Sequence, residues 1–205
     1  MLYASAISRI DAANAEDPNR TTVDDVAVPD ELLYARRMTA WLDRLDPNAS
    51  EALKLAVRCQ HICRWLIPRS TYPMTRAGYH QWRTALGKFH AEKAGEILRD
   101  VGHDGGMVAR VQAIVRKENL KDPETQTLED AACLVFFEFE FADFAKRHDK
   151  DKIVRILQRT WRKMSPRGHE HAMKLRMEPA ARELIAKALT QPPAGRSSRG
   201  ESEEP

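Results

Sequence analysis

Apolar residues recur at intervals of three and four along almost the whole chain, and no run alternates cleanly as a half-buried strand would. The pattern therefore predicts an all-α fold. A first helix is expected over residues 2 to 15, stopped at Asp17-Pro18 because the residue before proline is driven out of the helical region. Residues 18 to 29, PNRTTVDDVAVP, are polar with proline at both ends and read as a loop. Asp30 then caps a helix over ELLYARRMTAWLDRL, which Asp46-Pro47 ends. Asn48 or Ser50 opens another through ALKLAVRCQHICRWLI, stopped by Pro68. The stretch PRSTYPMTRAG, 68 to 78, holds two prolines and a glycine and must connect, and its length suggests a functional loop. A long helix from about Ala77 to Val101 is closed by Gly102, and a shorter one runs from about Gly106 to Asn119. Thr125 to His148 is the most apolar helix: its centre, LEDAACLVFFEFEFADFA, is hydrophobic nearly all round, as in a helix buried inside a bundle. The runs at 149 to 164 and 168 to 190 are more basic and amphipathic and are expected on the outside.

The pattern amounts to a single-domain bundle of about seven to eight helices. Residues 1–165 form the domain, 166–190 an amphipathic helix packed outside it, and 191–205 a disordered tail of Pro, Gly, Ser and charge. Composition agrees with a folded chain: 205 residues, 42% hydrophobic and 31% charged. Thirty-three Lys and Arg against 30 Asp and Glu leave +3, too little to mark a nucleic-acid or membrane surface by charge alone, so any basic site is local. No apolar run is long enough to span a membrane, and MLYASAISRIDAANAED lacks the features of a secretory leader, which points to a cytoplasmic protein with no membrane partner. Cys59, Cys63 and Cys133 include no CxxC pair, and Cys59 and Cys63 at i,i+4 suit core packing better than metal binding.

A few polar residues stand out among these apolar helices. His61, in RCQHICRW, reads as mid-helix, with Arg58, Arg64 and Trp65 on its face. Arginines on both sides favour the neutral imidazole that metals prefer; a core-edge histidine is the plainer alternative. His90 sits in LGKFHAEKAGEIL, where Ala91, Ala94 and Gly95 let another helix come close. Glu92 is about 200° away around the helix and cannot join it. Asp130 precedes AACLVFF and is open to two readings. It is either a buried carboxylate needing a cation, a metal or several donors, or the acid of a capping box begun by Thr127. Asp104, in VGHDGG, is expected to cap the helix that follows, and His169 and His171 diverge on a helix and make a weak metal pair. Arg58, Arg64, Arg69, Arg76, Arg83 and Lys88 lie around the long loop with Trp65, Tyr72, Tyr79 and Trp82 between them. Such a set can hold a phosphate by forked hydrogen bonds and stack a base, or can simply be a surface on which arginine stems cover aromatic rings. There is no GxSxG, P-loop, GxGxxG or HExxH.

The segments RCQHICRWLIPRSTYP, GYHQWR, FHAEKAGEIL and RVQAIVRKENLKDPETQTLEDAACLVFFE closely resemble the family known as domain of unknown function 4202, over about residues 3 to 165. The resemblance implies an all-helical fold similar to the HD-domain superfamily of metal-dependent phosphohydrolases. That pattern wants a His, a His-Asp dipeptide on a second helix and a distant Asp, and His61, His90 and Asp130 fall in that order. The residue after His90 is Ala91, so the dipeptide's aspartate is missing. The implied function is hydrolysis of a small phosphorylated or nucleotide ligand. His61, His90 and Asp130 would hold a divalent ion (zinc, manganese or iron), and Arg58, Arg64, Arg69, Arg83 and Lys117 would neutralise the phosphate. The alternative is a non-catalytic nucleotide- or RNA-binding module that keeps the pocket without the metal. A third reading is a protein-interaction surface on the outer basic helices, with Arg155, Arg159, Arg162 and Lys163.

Overall fold

A computed structural model describes residues 1–176 and 182–186. They fall into two compact units divided between Leu128 and Glu129. The first unit holds α1 (Leu2–Ala15), a hairpin of β1 (Arg20–Val23) and β2 (Val26–Pro29), α2 (Asp30–Leu45), α3 (Glu51–Arg58), α4 (Arg76–Val101) and α5 (Gly105–Arg116), then the start of α6 (Pro123–Val135). The second holds the rest of α6, a π-helical turn over Phe136–Glu140, α7 (Phe141–Arg147), α8 (Lys150–Lys163) and α9 (Pro166–Met173). The chain is an all-helical domain, as its periodicity requires, apart from the hairpin.

That hairpin replaces the expected loop. Arg20 pairs with Pro29 and Val23 with Val26, around a turn in which Asp24 and Asp25 have φ of 48° and 63°. Positive φ at both central positions makes it a type I′ turn, whose twist matches that of the strands, and aspartate is among the few residues that tolerate it. Four-residue strands that are mostly exposed leave no alternation to detect. Asp30 is not the cap of α2. Pro29 holds that position, the Asp30 carboxylate accepts from Thr21 Oγ1 at 2.7 Å, and the Glu31 N–H is taken by Asp17 Oδ2 at 3.1 Å.

The largest correction lies after α3. Ser50 caps that helix by accepting from the Leu53 N–H, but the helix stops at Arg58 instead of running to Ile67. Residues 59–63 form a turn that ends with Cys63 in the left-handed region, at φ 54°, followed by a short 3₁₀ helix over Arg64–Leu66. Two distant side chains take the backbone groups a helix would have used: Asn14 Oδ1 accepts the Cys63 N–H at 3.2 Å, and His90 Nδ1 donates to the Ile62 carbonyl at 2.8 Å. Cys59 and Cys63 are buried, though not on a shared helical face. α4 begins one residue earlier than expected, capped by Thr75, and Gly102 closes it at φ 101°. Asp104 caps α5 by accepting from the Met107 N–H, as its position predicts. α5 packs on α4 across Gly95, where Gln112 crosses to donate to the Ala91 carbonyl at 2.9 Å.

In the second unit the long helix expected over 125–148 is broken by the π turn. Phe137 and Phe141 are buried while Phe139 is exposed, and Phe136 meets Phe137, Phe141 and Phe144 edge to face or tilted, at 5.7 to 6.0 Å. A π turn inserts one residue and rephases the helix, which lets so phenylalanine-rich a stretch bury one side. The expected helix 168–190 is shorter and earlier: α9 ends at Met173, and helical residues recur at 182–186. The expected tail, 191–205, lies outside the described residues.

Candidate functional site

α2 leaves the hairpin with Glu31 and Tyr34 in its first turns, three residues apart and so on one face. Both reach His61 in the turn after α3. The Tyr34 ring stacks on the imidazole with centroids 3.9 Å apart and planes 11° from parallel, and Glu31 Oε2 lies 3.6 Å from His61 Nδ1. On the other nitrogen, Arg64 Nη1 donates to His61 Nε2 at 3.1 Å. A guanidinium has no lone pair to offer, so Nε2 is the acceptor and the ring proton sits on Nδ1, toward Glu31. Arg64 also lies over Trp82, 4.8 Å from the ring centroid, with Arg69 at 6.0 Å, while Trp82 Nε1 donates to the Ile67 carbonyl at 2.9 Å.

His90, from the middle of α4, stands with its ring centroid 5.9 Å from that of His61. Its bond to the Ile62 carbonyl fixes the proton on Nδ1 and leaves Nε2 as a lone pair. That nitrogen is buried and has no hydrogen-bond partner among the described residues. Burial is the main cause that holds both histidines neutral. His61 is driven well below its ordinary pKa by burial and then by Arg64, His90, Arg83 and Lys117. His90 is lowered to about 4 by burial, against the Ile62 bond, which favours the proton, with Arg64 and Arg83 adding to the fall. The two rings thus feel the same guanidiniums.

A pH dependence follows. Unfolding frees His90 to take up a proton below its ordinary pKa near 6.5, while the folded ring resists until about 4. Stability is therefore unaffected above about pH 6.5 and falls as the pH drops toward 4, with a contribution from His90 approaching about 1.4 kcal/mol per pH unit. Chemical unfolding at pH 7.5, 6, 5 and 4.5 measures this, and in His90→Leu the same range should show a shallower slope.

The other expected residues are placed as follows. Arg58 is buried and forms a bidentate pair with Asp11, both N–O distances 2.6 Å, so its guanidinium is engaged within the fold. Arg69 donates to the Tyr72 and Pro73 carbonyls at 3.0 and 2.9 Å and ties its own loop. Arg83 is exposed on α4, and among the described residues no hydrogen bond or ion pair holds it. Lys117 ends α5 in the left-handed conformation, at φ 55°. Asp130 belongs to the second unit, buried inside α6 and thus not in a capping box. Its Oδ1 accepts from the Ser165 N–H at 2.8 Å and its Oδ2 from the Ser165 hydroxyl. His169 stacks on Trp161, centroids 4.0 Å apart and planes 4° from parallel. Among the described residues no three His, Cys, Asp or Glu side chains gather as a metal site. No helix there is long and apolar enough to cross a membrane.

The structure brings His61, His90, Arg64, Arg83 and Lys117 together electrostatically, and adds Glu31 and Tyr34, which sequence reasoning did not single out. Their signal was present: an acid and an aromatic at i,i+3 in the first turns of an amphipathic helix. The family model described as Domain of unknown function (DUF4202) matches residues 4–185. No curated protein and no solved structure matches the chain.

Proposed function

The chain belongs to the DUF4202 family, and from the cluster around its two buried histidines we propose that it binds a small phosphorylated molecule, a nucleotide or a sugar phosphate, through Arg64, Arg83 and Lys117. The observation that carries this is the two neutral imidazoles, 5.9 Å apart, both under the influence of Arg64 and Arg83, with Lys117 acting on His61. Neutral rings add no charge of their own, so the positive influence of Arg64, Arg83 and Lys117 on His61 is not increased by the histidines, and a phosphoryl group is the ligand whose charge suits it. Charge-assisted hydrogen bonds to phosphate contribute about 1.5–3 kcal/mol each. Removing one guanidinium should weaken binding by roughly ten- to a hundredfold. Thermal stabilisation by a panel of nucleoside and sugar phosphates tests the proposal. At least one compound should raise the melting temperature of the wild type and fail to do so in Arg83→Ala. A panel that stabilises neither protein overturns it.

Metal-dependent hydrolysis is the second reading, and His90 favours it: an imidazole with Nδ1–H on a carbonyl and a bare, buried Nε2 is prepared as a metal ligand. The other two residues do not fit as they are bonded, since His61 Nε2 accepts from Arg64 and both Asp130 oxygens accept from Ser165. No step is therefore routed through an ion. Metal content of the purified protein, compared with His90→Ala, separates the readings. About one ion per chain, lost in the variant, would favour the hydrolase.

A further inference from the structure

We infer that the pocket selects a ligand that carries a hydrogen-bond donor on or beside its phosphoryl group, so that it prefers a protonated oxyanion to a fully ionised one. This rests on the reading of the pocket as a phosphoryl site. The feature that demands it is His90 Nε2. The residue is 3% exposed, the ring's only proton is held on the Ile62 carbonyl at 2.8 Å, and among the described residues no donor meets Nε2. A buried acceptor left without a donor is costly, so it marks a position that something else completes. His61 cannot complete it: its proton lies on Nδ1, toward Glu31, and its Nε2 is itself an acceptor bonded to Arg64.

The pocket therefore makes two demands of different sign. Arg64, Arg83 and Lys117 can donate to bare oxyanion oxygens, and His90 Nε2 calls for an O–H. Hydrogen phosphate satisfies both with one tetrahedral group, and a phosphate ester satisfies both when a hydroxyl stands next to the phosphorylated carbon. Sulfate has the same shape and charge but no proton. Against it His90 Nε2 would meet an oxygen lone pair in place of a donor. Cations alone would bind the two anions equally, so a difference between them reports His90. A site that requires a ligand proton rejects analogues lacking it strongly, and we expect a preference of more than about a hundredfold.

The test titrates the full chain at pH 7 with inorganic phosphate and with sodium sulfate by calorimetry, beside the ring-nitrogen NMR spectrum of the wild type. Phosphate should bind at least a hundred times more tightly, and the resonance of the unprotonated His90 Nε2 should move with phosphate and not with sulfate. In His90→Gln, whose amide can donate, the preference should shrink or reverse while sulfate affinity rises. The NMR arm needs no variant and stands even if His90→Gln fails to fold. Equal affinity for the two anions, or a phosphate preference that leaves the His90 resonance unmoved, overturns the inference and leaves the phosphoryl reading standing. Binding of neither anion overturns the inference, and the phosphoryl reading itself falls only if the panel of nucleoside and sugar phosphates also fails to stabilise the protein.

Discussion

Replacing Arg58 with alanine is expected to lower the unfolding free energy by about 2–3 kcal/mol, the cost of removing charge-assisted hydrogen bonds from a partly buried ion pair. Arg58 leaves the last turn of α3, and both of its bonds to Asp11 of α1 are 2.6 Å long. Its Nη1 also donates to Thr39 Oγ1 at 3.0 Å and to the Ala35 carbonyl at 3.4 Å, both on α2. One guanidinium thus joins three helices, and alanine would strand a carboxylate, a hydroxyl and a carbonyl together. Lysine keeps the charge but cannot span both carboxylate oxygens, so Arg58→Lys should recover only part of the loss. Denaturant unfolding of Arg58→Ala, Asp11→Ala and the double variant measures the coupling. A loss below about 1 kcal/mol, the range of exposed pairs, would return Arg58 to the residues available to a ligand.

Gly168→Ala is expected to cost about 2–4 kcal/mol, combining overpacking with a damaged helix cap. A β-carbon at Gly168 would lie 2.7 Å from Asp130 Oδ1 and 2.8 Å from its Cγ. The carboxylate has nowhere easy to go: it is buried, and it holds the N–H and hydroxyl of Ser165, which in turn caps α9 by accepting from the Gly168 N–H. The added methyl must push apart the acid and the helix start that the acid secures. Because the clash needs the carboxylate, it vanishes with it, and Asp130→Ala with Gly168→Ala should be no less stable than Asp130→Ala alone. Hydrogen exchange across residues 166–173 gives a local readout and should quicken in Gly168→Ala. A variant with wild-type stability and protection would refute the account.

What the chain reveals before folding is what its local chemistry decides. The starts of α3 and α5 follow from Ser50 and Asp104, and the end of α4 from Gly102, because a cap acts within a few residues. The fate of Asp130 was half legible. Its run of apolar neighbours demanded donors, but the donor, Ser165, is 35 residues away. Apolar spacing ran α3 through His61 because LKLAVRCQHICRW is a good amphipathic stretch, and nothing local opposes it. The opposition comes from Asn14 and His90, which capture the backbone at Cys63 and Ile62. The candidate cations divided for the same reason. Arg64 and Arg83 act electrostatically on both histidines and Lys117 on His61, while Arg58 is drawn away by Asp11 and Arg69 by the carbonyls of its own loop.

The bonds that shape the turn carrying His61 span 28 residues from Ile62 to His90, 47 from Arg58 to Asp11 and 49 from Cys63 to Asn14. Contacts of such separation form only after loop-closure entropy has been overcome, and they place a region late in the order of folding. No fragment confined to the neighbourhood of residues 58–67 can hold this histidine cluster. Nascent chains emerging from the ribosome would lack it until α4 is free to meet α1, and any ligand that binds there would draw the population toward the fully assembled first unit.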